Sequence, residues 1–293
     1  MYHDPDNLNL FVNTSATIVI LDFFKKSQKI KRSLIISGGT GAGKSMLLNR
    51  LRQLSFCASH GMIISHFCMP TSARCDIFKQ INSSIRLQTR GLESGTSLDY
   101  HSERQFMDLV QHFSIHTILL DAAENLSPQD FAKLIHVLER LKMEKKFSLN
   151  MVIATQHGRA YYKEHCAKLL DHSITLSFLS IPPLTHKDVT TVFKVRGTPF
   201  TEFADPSLKP RDLVEIVLEG INKTMSSLML FCDIYKNEFG NYPMTLDRIS
   251  SVLRLMKMDI NLEKILSNTS TTKEIKDALR EKFPYVQGTF WPM

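Results

Sequence analysis

Residues 33–51 read Ser33-Leu34-Ile35-Ile36-Ser37, then Gly38-Gly39-Thr40-Gly41-Ala42-Gly43-Lys44-Ser45, then Met46-Leu47-Leu48-Asn49-Arg50-Leu51. The first run is short and apolar, which predicts a buried strand. The last has the composition of a helix. Between them lies a complete phosphate-binding P-loop. The chain has only 12 glycines, and four of them fall in these eight positions. Glycine there lets the backbone fold tightly around an anion and turn its N–H groups inward. Lys44 can reach the β- and γ-phosphates, and the Ser45 hydroxyl can bind Mg²⁺. The N-terminus of the following helix adds a dipole that favours phosphate. The strand–loop–helix context therefore predicts a nucleoside triphosphate site at Gly38–Ser45 with Mg²⁺ as its metal.

The 293 residues suffice for one large domain or one domain plus a smaller one, and the 43% of hydrophobic residues suffice for a core. No apolar run is long enough for a membrane span. The opening residues, Met1-Tyr2-His3-Asp4-Pro5-Asp6, carry acid and no basic region, so a secretory signal is not expected and a cytoplasmic location is. The five cysteines, Cys57, Cys68, Cys75, Cys166 and Cys232, show no CxxC spacing, which predicts reduced thiols in place of a zinc site or a disulfide framework. The 11 histidines are scattered. A net charge of +7 is compatible with an acidic partner such as DNA. The densest basic clusters are Lys25, Lys26, Lys29, Lys31 and Arg32, and then Lys142, Lys145 and Lys146. Both also fit helix ends, where cations suit the C-terminal dipole.

Outward from the P-loop, helices are expected over 16–26, 76–85, 103–113 and 128–142. Strands are expected over 62–67, 116–121, 149–154 and 174–178. This alternation predicts a parallel sheet covered on both faces. After Pro182-Pro183 only helical patterns follow, over 185–195, 210–218, 224–239 and 245–256, with a further helix over 273–282. Asn241-Tyr242-Pro243 reads as a turn. The expected organisation is an α/β nucleotide-binding domain over 1–182, a small all-helical lid over 183–256 and a C-terminal extension over 257–293.

Ile118-Leu119-Leu120-Asp121 is a Walker B pattern, about 75 residues after the P-loop. Asp121, at the end of a strand expected beside the P-loop strand, can hold Mg²⁺. The order of P-loop, Walker B, a polar strand end at Thr155-Gln156 and a helical lid resembles the AAA+ ATPases. Leu120-Asp121-Ala122-Ala123-Glu124-Asn125-Leu126-Ser127 resembles the Walker B region of secretion and transposition ATPases of the ExeA and transposon target-selector type. Leu228-Met229-Leu230-Phe231-Cys232-Asp233 and Tyr242-Pro243-Met244-Thr245-Leu246-Asp247 resemble the lid of the replication initiator DnaA and its relative Hda. The resemblance spans roughly 10–256.

It implies a nucleotide sensor at Thr155, a lid cation at Lys223, and self-association or assembly into a protein complex. Three departures stand out. Ala122 occupies the position where active members carry a glutamate, and Glu124 comes two residues later as the substitute. Leu169-Leu170-Asp171-His172-Ser173 has no arginine finger, and Arg159 is the nearest candidate. Lys223 stands where an arginine is usual, and it lacks the bidentate fork. The expectation is a slow ATPase, with Lys44, Asp121 and Glu124 as its catalytic set. It would serve as an ATP-controlled switch with DNA-bound replication or transposition machinery. The alternatives are an assembly ATPase of a secretion or pilus system and a nonhydrolysing structural subunit.

Overall fold

The computed structural model describes residues 12, 14–30, 33–56, 62–70, 76–89, 103–166, 176–198 and 210–256. They form two compact units. The first runs through Pro182; the second runs from Pro183 and takes in the short segments Val12–Ser15 and Gly41–Gly43.

The first unit contains β1 (Ser33–Ser37), β2 (Met62–Phe67), β3 (Ile115–Asp121), β4 (Asn150–Thr155) and β5 (Leu176–Ser180). Its helices are α1 (Ser15–Ile30), α2 (Lys44–Phe56), α3 (Ile77–Thr89), α4 (Glu103–His112), α5 (Pro128–Glu144) and α6 (Arg159–His165). All strand pairs are parallel, in the order β2-β3-β4-β1-β5. The expected α/β fold class is therefore present. One expectation is corrected: β3 does not neighbour the P-loop strand, because β4 lies between them. Chain order carries no information on which crossover lands where.

Strand side chains alternate between two cores, as the period of two requires. Ile35, Ile118, Leu120, Met151 and Ile153 face one side, packed with Phe78, Phe106 and Phe131 from α3, α4 and α5. Leu34, Ile36, Leu119, Val152 and Ala154 face the other, packed with Ile20 and Phe24 of α1 and Leu47, Leu48 and Leu51 of α2. A sheet covered on both faces explains why these strands read as continuous apolar runs.

The second unit contains α7 (His186–Arg196), α8 (Pro210–Gly220), α9 (Met225–Phe239) and α10 (Leu246–Leu255). Threonine starts three of them. Thr185 accepts from the Asp188 N–H in a reciprocal capping box, and Thr224 and Thr245 cap α9 and α10. Phe193, Ile216, Phe231, Tyr235, Ile249 and Val252 are buried in their common core. At the turn before α10, the buried Tyr235 hydroxyl lies 2.9 Å from Tyr242 O and 3.0 Å from Pro243 O.

Helix α6 was not expected. Its seven residues are too short for a clear apolar period. The expected helix over 273–282, the extension from 257 and most of the loop over 88–97 lie outside the described residues. So do Cys57 and Cys75. Cys68, Cys166 and Cys232 are free and buried. No described helix is long and apolar enough to cross a membrane.

Candidate functional site

The P-loop leaves the C-terminal end of β1, and its path demands glycine at two points. Gly41 and Gly43 adopt φ of +76° and +93°, a region costly for side chains other than glycine. The loop is pinned where it begins: Gly38 N–H donates to Thr155 O at 3.2 Å, at the end of β4. Helix α2 starts at Lys44, so the exposed Ser45 lies in its first turn. Lys44 is buried and donates from Nζ to Gly38 O at 2.7 Å and to Gly39 O at 2.9 Å. Burial pulls its pKa below 10.5, opposed by the negative charges of Glu124 and then Asp121. Both carboxylates thus act electrostatically on the lysine of the phosphate loop.

Asp121 ends β3, and its Oδ1 accepts the Ala122 N–H at 2.9 Å. Ala122 then takes a left-handed conformation, φ 55° and ψ 40°, uncommon for a residue other than glycine. A single 3₁₀ turn over Ala123–Asn125 follows. This reversal carries Glu124 to the end of β4. There Gln156 holds both of its carboxylate oxygens. The Gln156 N–H donates to Oε2 at 3.1 Å, and Nε2 donates to Oε1 at 2.9 Å. The remaining polar atom of the Gln156 side chain, Oε1, accepts from the Thr40 hydroxyl of the P-loop at 3.3 Å. The turn is anchored from β2, since Cys68 N–H donates to Asp121 O at 2.9 Å and Asn125 Nδ2 to Cys68 O at 2.9 Å. Burial, with Asp121 and Glu124 nearby, pushes the Cys68 thiol up to about 12, so it is not a nucleophile here.

Thr155 and Gln156, the polar pair expected at the end of β4, meet different partners. Thr155 is fully buried, and its Oγ1 accepts from His157 N–H at 3.1 Å and lies 3.3 Å from the Tyr162 hydroxyl. That hydroxyl is turned into the fold beneath α6. Gln156, one residue on, is the polar group joined to Thr40 and Glu124. The sequence signal was the dipeptide itself; a strand end alternates faces, so one residue of offset decides which side chain meets the loop. Lys223, in the second unit, has a left-handed backbone and pairs through Nζ with Glu219 at 2.6 Å. Arg159 begins α6, is exposed, and stands over the Phe178 ring at 5.9 Å. The segment 169–173 lies outside the described residues.

A P-loop metal site needs few protein ligands, because phosphates and water supply the rest. The Ser45 hydroxyl and the Asp121 carboxylate are hard oxygen donors of the right kind, so these residues fit Mg²⁺. No cluster of three or more His, Cys, Asp or Glu side chains suited to a metal occurs among the described residues.

Comparison with known proteins agrees with this geometry. Residues 28–161 match the model of the AAA domain family. No curated protein matches in sequence. Among solved structures, Cdc6p from Pyrobaculum aerophilum is similar with a TM-score of 0.59 at 13% identity, covering 96% of this chain and 84% of that one. The Aeropyrum pernix ORC2 protein, solved in ADPNP and ADP complexes, gives a TM-score of 0.55 at 13% identity, covering 90% and 75%. Domain III of the Thermotoga maritima replication initiation protein DnaA gives 0.53 at 13% identity, covering 86% and 97%. At such identities the likeness is one of fold: a P-loop AAA+ fold resembling the DnaA-type replication ATPases.

Proposed function

We propose that this chain, which has the AAA+ P-loop ATPase fold, binds ATP–Mg²⁺ at Gly38–Ser45 and works as a slow, ATP-controlled switch acting with DNA-bound machinery. One observation carries the reading. Glu124 is joined through Gln156 to Thr40 of the P-loop, although the residue directly after Asp121 is alanine. In this reading Lys44 holds the terminal phosphates, and Ser45 and Asp121 hold the metal. The metal, when bound, neutralises charge on the phosphates. Glu124 orients the attacking water and takes its proton. The oxygen–γ-phosphorus bond forms as the bond to the ADP oxygen breaks, and phosphate leaves.

Turnover is expected to be slow because Leu169-Leu170-Asp171-His172-Ser173, where the resemblance places an arginine finger, contains no arginine. Such a finger is worth about 10³–10⁵ in rate where it has been measured. The replication context is supported by the fold shared with a replication initiation protein and by the charge of +7. Basic surface over Lys142, Lys145 and Lys146, all exposed at the end of α5, is available for DNA phosphates. Self-association belongs to the same reading.

The test is particle size with and without ATP, and DNA binding and ATP turnover with and without duplex DNA, at two salt concentrations. Salt-dependent DNA binding that requires ATP supports the switch. ATP binding with no response to DNA at low salt contradicts the DNA-bound role and favours a secretion-type assembly ATPase. The alanine side chain at 122, where a glutamate is usual, favours a nonhydrolysing subunit, and that is the outcome if bound ATP persists unhydrolysed.

A further inference from the structure

Among the described residues β2 is an edge strand, paired with β3 on one side only. Such an edge offers a row of peptide N–H and C=O groups to any further strand. Successive residues turn these groups to opposite sides. Cys68 turns inward, its N–H donating to Asp121 O at 2.9 Å, so Ser65, Phe67 and Met69 turn outward. Two glutamines of α3 meet two of these three. Gln88 Oε1 accepts the Ser65 N–H at 3.0 Å, and Gln88 Nε2 donates to Ser65 O at 2.6 Å. Gln80 Oε1 accepts the Met69 N–H at 2.9 Å, and Gln80 Nε2 donates to Met69 O at 3.1 Å. Each side-chain amide gives one acceptor and one donor to a single residue, as the facing residue of an antiparallel strand would.

The fit follows from the two repeats. From Gln80 to Gln88 a helix rises about 12 Å. From Ser65 to Met69 an extended chain rises about 13 Å. Gln80, Ser84 and Gln88 share one face of α3, and Ser84 Oγ lies 2.7 Å from His66 Nδ1 between the two clamps. Phe67 alone keeps its outward backbone groups without a partner among the described residues. The Phe67 and Met69 side chains are 57% and 56% exposed. Apolar side chains on an open edge invite strand addition. The Gln88 bonds are exposed, compete with water and contribute little to stability. Their consequence is to decide what can approach the edge.

We propose that Gln80 and Gln88 guard the β2 edge, occupying the positions where a further strand would pair and keeping a strand of a second copy of this chain from adding there. One open residue between two occupied ones gives an incoming strand no run of groups to pair with. The guard is independent of the nucleotide reading.

The test uses the full chain without nucleotide. It compares wild type, Gln88→Ala and Gln88→Ala/Phe67→Lys, with circular dichroism to check the fold, residue-resolved amide exchange, and light scattering over a range of protein concentrations. In the wild type, Ser65 and Met69 are expected to exchange slowly and Phe67 fast. In Gln88→Ala at low concentration, Ser65 exchange is expected to rise about tenfold or more, while Met69 stays protected by Gln80. At higher concentration Gln88→Ala is expected to reach at least twice the wild-type mass. Phe67→Lys is expected to return it to the wild-type size, because a charge on an edge opposes pairing.

A wild type in which Ser65 exchanges as fast as Phe67 overturns the proposal. So does a Gln88→Ala variant that matches the wild-type size at every concentration, or an added mass that Phe67→Lys leaves unchanged, which would put the association elsewhere. Loss of the fold in Gln88→Ala also overturns it, since Gln88 would then be a residue of stability.

Discussion

Ala122 shows how much one backbone torsion can decide. A residue without a functional side chain holds φ at 55°, and the reversal it makes puts Glu124 beside Gln156. The sequence showed which carboxylates were present and that one came two residues late. It did not show that the late one returns, because a left-handed alanine carries no local signature as glycine or asparagine would. Two predictions belong here. Lys44→Ala removes the only P-loop side-chain cation and is expected to abolish tight ATP binding in a folded protein, as read by calorimetry. Ala122→Glu is not expected to rescue the turnover lost in Glu124→Gln. It places a larger side chain on a strained backbone, and the glutamine at 124 keeps only one acceptor oxygen for the two Gln156 donors. Recovery of wild-type turnover in that double variant would show that the usual glutamate position is the operative one.

At the scale of elements, most strands and helices were legible because apolar period, threonine caps and the proline at the start of α5 are local signals. The strand order was not, since nothing local says that β4 enters between β1 and β3. The Thr185 capping box is a local signal with a measurable weight. Its side chain accepts the Asp188 N–H, and Asp188 Oδ2 accepts the Thr185 N–H at 2.9 Å. Thr185→Ala is expected to cost about 1 kcal/mol of stability in urea unfolding.

The join of β2 to α3 has a pH signature. His66 is buried on β2, its Nδ1 2.7 Å from Ser84 Oγ and its Nε2 3.3 Å from Gln80 Oε1. Burial lowers its pKa below 6.5, with the Gln80 bond opposing. The unfolded chain therefore binds the proton more readily than the folded one. Stability from this site is whole above the unfolded value of 6.5 and is lost as pH falls below it, until the folded pKa is passed. Urea midpoints from pH 7.5 down to pH 5 are expected to fall less steeply in a folded His66→Gln variant. An identical slope would remove His66 from the explanation.

At the scale of the molecule, a chain with no match among curated sequences shares its fold with Cdc6p, ORC2 and DnaA at 13% identity. The fold was readable because the P-loop is a demand of backbone geometry that few sequences meet by accident. Partner and pathway were not readable, because they depend on surface chemistry that the shared fold leaves free to vary. The helical region over 183–256 was expected to act as a lid. ATP is therefore expected to slow proteolysis within it, and equal cleavage with and without ATP counts against that role.

The central claim, that Gly38–Ser45 is a working ATP site, is tested most directly by titrating the purified chain with Mg-ATP, beside a Lys44→Ala variant shown to be folded. One ATP bound per chain in the wild type, with binding lost in the variant, is the predicted result. Equal affinity in the two proteins, or no binding in either, would contradict it.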